Sequence, residues 1–285
     1  MKEDGGERRL RLPGGETVRV RVWGSGGTPI FLLHGFLGSA EEWGGLPGRL
    51  GRTFHVMAVD LPGHGGSDGG IDPACYGIPR VAREMAWVQE AVFGGPAWWL
   101  GYSMGGRIAL AAAVEGVPMR GLLLESASPG IRDDGARRAR RNEDEIRARA
   151  LEEEGTAAFV DRWLALPLFS GLADLPAAAR DEARRIRTAQ DPGRMAAWLR
   201  GGGTGSQPSY WEILDSLEVP VHLLVGDADE KFVAVARSVL PHLRTGSLTV
   251  VPGAGHLPHL EAPGAWEAWV REAVADPGDR QTGLP

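Results

Sequence analysis

The sequence predicts an α/β fold: a mostly parallel sheet with helices on both faces and an inserted helical cap. Three observations predict it. Short, nearly continuous apolar runs, which read as strands buried on both faces, recur along the chain. Helical segments separate them, and this alternation implies a parallel sheet covered on both sides. The rhythm breaks once, because residues 131–215 carry helical patterns and no strand. An insertion of that kind is expected to lie over the C-terminal ends of the strands, where open α/β sheets bind ligands.

In chain order, residues 17–23 (TVRVRVW) alternate apolar and polar side chains like a half-exposed strand. Residues 30–33 and 55–59 are continuous apolar runs, as are 97–102 (AWWLGY), 121–125 (GLLLE), 219–225 (VPVHLLV) and 247–251 (SLTVV). Helices are expected over 79–93, 104–115, 232–240 and 263–275. Within the interruption, 132–154, 156–166, 175–188, 192–199 and 209–214 read as helices. The expected division is therefore a core of 1–130 and 216–285 with a cap of 131–215.

Composition narrows the function classes. The 285 residues are 43% hydrophobic and 24% charged, which excludes disorder, collagen and a disulfide scaffold. Cys75 is the sole cysteine, so an intrachain disulfide and a Cys-built metal site are excluded. The N-terminal MKEDGGERRL lacks the apolar core of a signal peptide, and the most apolar stretch, 97–114, is interrupted by Arg107 and glycines. A cytoplasmic protein without membrane insertion is expected. A net charge of −6 with no lysine-rich patch argues against nucleic acid as a partner. Of the 31 basic residues only Lys2 and Lys231 are lysines, leaving 29 arginines, 14 of them within 131–215. Codon usage accounts for most of that excess, but arginine also grips carboxylates through a planar two-point fork, so individual positions matter.

The strongest local signal is Gly101-Tyr102-Ser103-Met104-Gly105, a G-x-S-x-G between an expected strand and an expected helix. Such a turn needs small flanking residues, supplied by Gly101, Gly105 and Gly106. It lifts the Ser103 hydroxyl to the head of the sheet. A base and an orienting acid should follow in the order Ser, Asp, His. Of the late histidines, His222 sits in a strand pattern and His242 follows a helix, so both read as structural. His256, in GAGHLPHLE after the last strand, sits where a base should be, with His259 as its competitor. For the acid, GDADEKF offers Asp227, Asp229 and Glu230, and spacing alone does not choose. Asp229 has the loop length to turn back toward His256. Asp60 and Asp68 read as turn formers. The backbone N–H groups of Phe36, in HGFLG, and of Met104 would converge on a developing oxyanion, each worth about 3–4 kcal/mol of barrier.

These residues resemble the α/β-hydrolase superfamily over residues 17–274, and within it they are similar to a family of menaquinone-pathway lyases. LHGFLGS, DLPGHGGS and GAGH occur widely among hydrolases. The narrower marks are GYSMGGR ending at Arg107, ESASPGI at 125–131, the Arg-rich start of the cap, FVDRWLALPLF at 159–169, GTGSQPS at 203–209 and DEKF at 229–232. The resemblance implies an α/β-hydrolase fold and a carbon–oxygen lyase. Its substrate would be 2-succinyl-5-enolpyruvyl-6-hydroxy-3-cyclohexene-1-carboxylate, a small polycarboxylate that loses pyruvate to give the 2,4-cyclohexadiene. Ser103, activated by His256 and Asp229, would be the base, with the enolate oxygen between the Phe36 and Met104 amides. Neither a metal nor an organic cofactor is implied. Arg107 lies one helical turn after Ser103 and so projects from the same helix face near the reacting centre, while Arg140 and Arg187 match positions that contact the substrate, with Arg184 or Arg185 as alternatives to Arg187. Tyr102 and Trp163 match pocket-lining positions. Two other readings compete: a serine carboxylesterase with Ser103 as nucleophile, and a non-catalytic binding protein. The presence of all triad positions argues against the latter, and Arg107 with Arg140 argues against an apolar ester pocket.

Overall fold

The structure, a computed structural model, describes residues 5–275, so the outer ends of the expected core, 1–4 and 276–285, lie outside it. The chain runs β1 (Gly6–Arg11), β2 (Thr17–Trp23), β3 (Pro29–Leu33), α1 (Leu46–Leu50), β4 (His55–Val59), α2 (Ile78–Phe93), β5 (Trp98–Tyr102), α3 (Met104–Val114) and β6 (Gly121–Glu125). After these come α4 (Asp134–Leu164), α5 (Ala177–Thr188), α6 (Pro192–Gly202), β7 (Val221–Gly226), α7 (Glu230–Val239), β8 (Gly246–Val251), α8 (Pro258–Glu261) and α9 (Pro263–Val274). The eight strands form one sheet in the order β1-β2-β4-β3-β5-β6-β7-β8. β2 pairs antiparallel with both β1 and β4, and every other pairing is parallel.

The continuous apolar strands are explained by two cores. In β3, Phe31 and Leu33 point to one face while Ile30 and Leu32 point to the other, and β4 divides in the same way. The first face is covered by α2, α3 and α7 through Val81, Met85, Ile108 and Val233. The second is covered by α1 and α9 through Leu46, Leu50, Trp266 and Val270.

β1 is an element that hydrophobic periodicity missed. Its sequence GERRLR has one apolar residue and is almost wholly exposed. It forms by backbone pairing with β2 alone, and its arginines keep an edge strand from recruiting another chain.

Between β6 and β7 the described residues contain helices and no strand. The expected helices 132–154 and 156–166 are one element, α4, interrupted at Gly155 (φ 79°, ψ 169°), a backbone conformation that glycine adopts without steric cost. α4 packs on α5 and α6. Among the described residues no helix is long and apolar enough to cross a membrane.

Candidate active site

Ser103 sits between β5 and α3 with φ 49° and ψ −104°, outside the ordinary regions for a side-chain-bearing residue. Its flanking glycines are obligatory. A Cβ on Gly101 would lie 2.4 Å from the Gly105 carbonyl carbon, and one on Gly105 would lie 2.0 Å from the Leu33 oxygen. The Ser103 N–H donates to the Glu125 carbonyl at 2.8 Å, tying the turn to β6.

The structure selects among the candidates that spacing left open. His256 Nε2 is 3.3 Å from Ser103 Oγ, and His256 Nδ1 is 2.6 Å from Asp229 Oδ2. Asp229 also accepts from the Phe232 N–H at the start of α7, so one carboxylate caps a helix and orients the imidazole. Asp227 is exposed and accepts from Gly253 N–H at 2.8 Å as a turn former, and Glu230 is exposed on α7. His259 is wholly buried and hydrogen-bonds Glu125 Oε1 through Nδ1 at 2.7 Å. Burial pulls its imidazole down, but Glu125 outweighs this and holds it above its ordinary value. Glu125 also accepts from Trp266 Nε1, so it anchors the histidine-bearing loop while its backbone anchors the serine turn. His222 bonds Ser247 and His242 packs on Trp211, both away from the triad. Asp60 does more than form a turn, joining Arg19 to the Ala40 and Gly66 amides.

Phe36 and Met104 both line the cavity at Ser103, and among the described residues neither N–H donates to a protein acceptor. The loop carrying Phe36 is held by Glu42, which sequence reasoning missed. Glu42 is buried; its Oε2 accepts from Gly35 N–H at 3.3 Å, and its Oε1 pairs with Arg187 Nη2 from α5. Burial pushes the Glu42 carboxyl up, but Arg187, His259 and His34 outweigh it and hold it below the ordinary value of 4.5. A depressed carboxyl contributes stability that is complete above its unfolded value and lost as pH falls through its folded value. Glu42→Gln is therefore expected to lower the thermal midpoint at pH 7, because Arg187 loses its countercharge. The gap to the unsubstituted protein should close as pH drops below 4.5. Thermal scans from pH 7 to 3 check this.

A cavity of about 470 Å³ opens at Ser103. Tyr102, Arg107, Arg140, Trp163, Arg187 and His256 all line it, so the structure brings together every expected side chain of the site except Asp229, which stands behind His256. Burial pushes the Tyr102 hydroxyl well above its ordinary value, so it stays protonated. Trp163 packs against Phe36 with ring centroids 5.8 Å apart, so a side chain of α4 touches the loop that carries Phe36. The three arginines differ in whether a carboxylate pairs with them. Arg140 pairs with Asp144 at 2.8 Å and Arg187 pairs with Glu42. Arg107 donates only to neutral oxygens, Gly202 O at 2.8 Å and Gln207 Oε1 at 3.0 Å, and forms no ion pair among the described residues. Burial is the largest influence on it, followed by repulsion from Arg140; these outweigh the attraction of Asp144 and pull its guanidinium down to about 10. Arg184 and Arg185, the alternatives to Arg187, form exposed pairs with Asp161 and with Glu182 and Glu41 outside this cavity.

Lys231, Ser126 and Phe232 also line the cavity, although sequence reasoning gave them no role. Ser126 has φ 48° and a buried hydroxyl without a partner among the described residues. A positive φ on serine leaves no mark in sequence, but the 125–131 block in which Ser126 lies was already distinctive.

Residues 30–269 match the model of the alpha/beta hydrolase family. The chain is 36% identical over 82% of its length to a Bacillus subtilis (strain 168) protein, covering 85% of that protein, which is provisionally named a 2-succinyl-6-hydroxy-2,4-cyclohexadiene-1-carboxylate synthase. It is 33% identical, over 84% of its length and 91% of the relative, to the synthase of the same name from Salmonella newport (strain SL254). The solved structure of MenH from S. aureus superposes with a TM-score of 0.86 at 30% identity, covering 90% of this chain and 99% of that one.

Proposed function

The chain belongs to the alpha/beta hydrolase family and, within it, to the 2-succinyl-6-hydroxy-2,4-cyclohexadiene-1-carboxylate synthases, and on that premise we propose how its residues eliminate pyruvate from 2-succinyl-5-enolpyruvyl-6-hydroxy-3-cyclohexene-1-carboxylate in menaquinone biosynthesis. Arg107 carries the reading. A buried cation without a carboxylate partner among the described residues, beside the triad serine, suits an anionic substrate and is costly in a pocket for neutral esters.

In the proposed reaction His256 Nε2 withdraws the Ser103 hydroxyl proton, and Asp229 stabilises the resulting imidazolium. Ser103 Oγ removes the proton from ring carbon 2, beside the succinyl ketone, and the Phe36 and Met104 amides hold the enolate oxygen. The electron pair re-forms the ketone, makes the double bond between carbons 2 and 3, shifts the ring double bond from carbons 3 and 4 to carbons 4 and 5, and breaks the carbon–oxygen bond from carbon 5 to the enolpyruvyl group. The departing enolate takes up a proton and becomes pyruvate. The 6-hydroxyl is retained, and no acyl-enzyme forms. Arg107, Arg140 and Arg187 bind the carboxylates, Tyr102 and Trp163 shape the cavity, and 131–215 serves as a cap on a core of 1–130 and 216–285. With Cys75 as its sole cysteine the chain has no capacity for an intrachain disulfide, which suits the cytoplasmic location we propose.

The experiment is to supply the enolpyruvyl substrate and follow pyruvate with a coupled dehydrogenase, with p-nitrophenyl esters offered in parallel. Pyruvate release far above the spontaneous rate, with slow ester turnover, is expected. Rapid ester hydrolysis with only background pyruvate would favour a carboxylesterase using the same triad.

A further inference from the structure

The block 203–209 (GTGSQPS) has no part in the chemistry above, yet it is built against the cation of the site. A Cβ on Gly205 would lie 2.4 Å from Arg141 N, so the α4 backbone rests directly on this loop. Asp144 Oδ2 accepts from Gly205 N–H at 3.2 Å, Arg141 Nη2 donates to Gly205 O at 3.2 Å, and Ser206 Oγ donates to Arg200 O at 2.7 Å. The loop so held presents Gln207, which is 1% exposed. Gln207 Oε1 accepts from Arg107 Nη1, the nitrogen that also donates to Gly202 O. On the far side, a Cβ on Gly130 would lie 3.2 Å from Gln207 Nε2, so glycine in the 125–131 block leaves room for the amide. Gln207 Nε2 has no acceptor among the described residues.

The other two cavity arginines are paired with carboxylates, Arg187 with the buried Glu42 and Arg140 with Asp144, which also pairs with Arg147; a carboxylate orients a guanidinium but offsets its charge. An amide oxygen orients the same group and leaves its charge intact. Glutamate has the same shape as glutamine, so the difference between them here is electrostatic. We propose that Gln207 is a positioning residue that fixes the Arg107 guanidinium through a neutral hydrogen bond, leaving its positive charge uncompensated until a substrate carboxylate arrives.

This inference rests on the pyruvate-eliminating reading for its substrate but not for its test. Gln207→Glu and Gln207→Leu are compared with the unsubstituted protein by KM and kcat for pyruvate release, by calorimetric binding of tricarballylate as a simple polycarboxylate, and by thermal midpoint. Gln207→Glu supplies Arg107 with a countercharge, so KM and the tricarballylate Kd should rise about 10- to 100-fold, with kcat within about three-fold. Its midpoint should be equal or higher. Gln207→Leu keeps the charge and loses only one acceptor, so both constants should rise less, about two- to five-fold. In an Arg107→Met background, Gln207→Glu should have no further effect on Kd. The proposal is overturned if Gln207→Glu leaves both constants within about two-fold of the unsubstituted protein, or if both variants lose binding equally with matching falls in midpoint. If Gln207→Glu does not fold, a rise of about ten-fold or more in Gln207→Leu overturns it, and a smaller rise supports it. Should the unsubstituted protein release no pyruvate, the catalytic reading fails while tricarballylate binding still decides the role of Gln207.

Discussion

Ser103→Ala is expected to lower kcat for pyruvate release by about 10³- to 10⁴-fold, the contribution typical of a positioned base acting within a triad. The hydroxyl lies 3.3 Å from His256 Nε2, and among the described residues no other hydroxyl hydrogen-bonds that nitrogen. Substrate binding should change little, because the proposed carboxylate grip belongs to the arginines. Fold stability should also be retained. The backbone at Ser103 (φ 49°, ψ −104°) is strained, and a residue held in such a conformation costs about 1–3 kcal/mol. Alanine keeps that strain and loses only the hydroxyl, so its thermal midpoint should match the unsubstituted protein. Glycine relieves the strain, so Ser103→Gly should be as inactive as the alanine variant and should melt at a higher temperature. Parallel kcat and thermal measurements on the two variants separate the chemical from the conformational role. Alanine retaining more than about a tenth of kcat would exclude Ser103 as the base.

Arg107→Met is expected to raise KM by about 10²- to 10³-fold, since losing one partner of a buried charged contact costs several kcal/mol of binding. The effect on kcat should be smaller, provided the carboxylate it grips is held equally before and during elimination. Stability is the discriminating measurement. The guanidinium is pulled down to about 10, chiefly by burial, which corresponds to roughly 3 kcal/mol lost by keeping this cation charged inside the protein. Methionine removes that cost but leaves Gly202 O and Gln207 Oε1 without a donor, at about 1–3 kcal/mol each. The opposing effects nearly cancel, so the thermal midpoint should stay within a few degrees of the unsubstituted protein. Lost binding with retained stability would mark Arg107 as a residue kept for its ligand. An unchanged KM would remove it from the carboxylate site.

Much of this molecule was legible before its structure. The strands at 55–59 and 121–125 coincide with β4 and β6 residue for residue, and the break between 154 and 156 falls on the non-helical Gly155. These features are local: apolar runs, helical spacing and a glycine each act within a few residues. The serine turn was legible for the same reason, because its steric demand for glycine is met within GYSMGG. β1 was not legible, because its stability comes from backbone bonds to β2 and its side chains carry no apolar pattern.

Within the site, the sequence by itself determined which residue types were present and roughly where each would emerge from the sheet. Only the tertiary structure decided between Asp227 and Asp229, and between His256 and His259. Those choices depend on which carboxylate meets which imidazole: Asp229 reaches His256 across 27 positions, and Glu125 reaches His259 across 134. The same holds for the arginines. Twenty-nine of them look alike in sequence, and codon usage remains the reason for most. Arg187 meets Glu42 across 145 positions, while Arg107 meets Gln207 across 100 and no carboxylate among the described residues. Whether a buried cation is neutralised depends on what lies within a few ångströms of it, and that neighbourhood is assembled by the fold from distant parts of the chain.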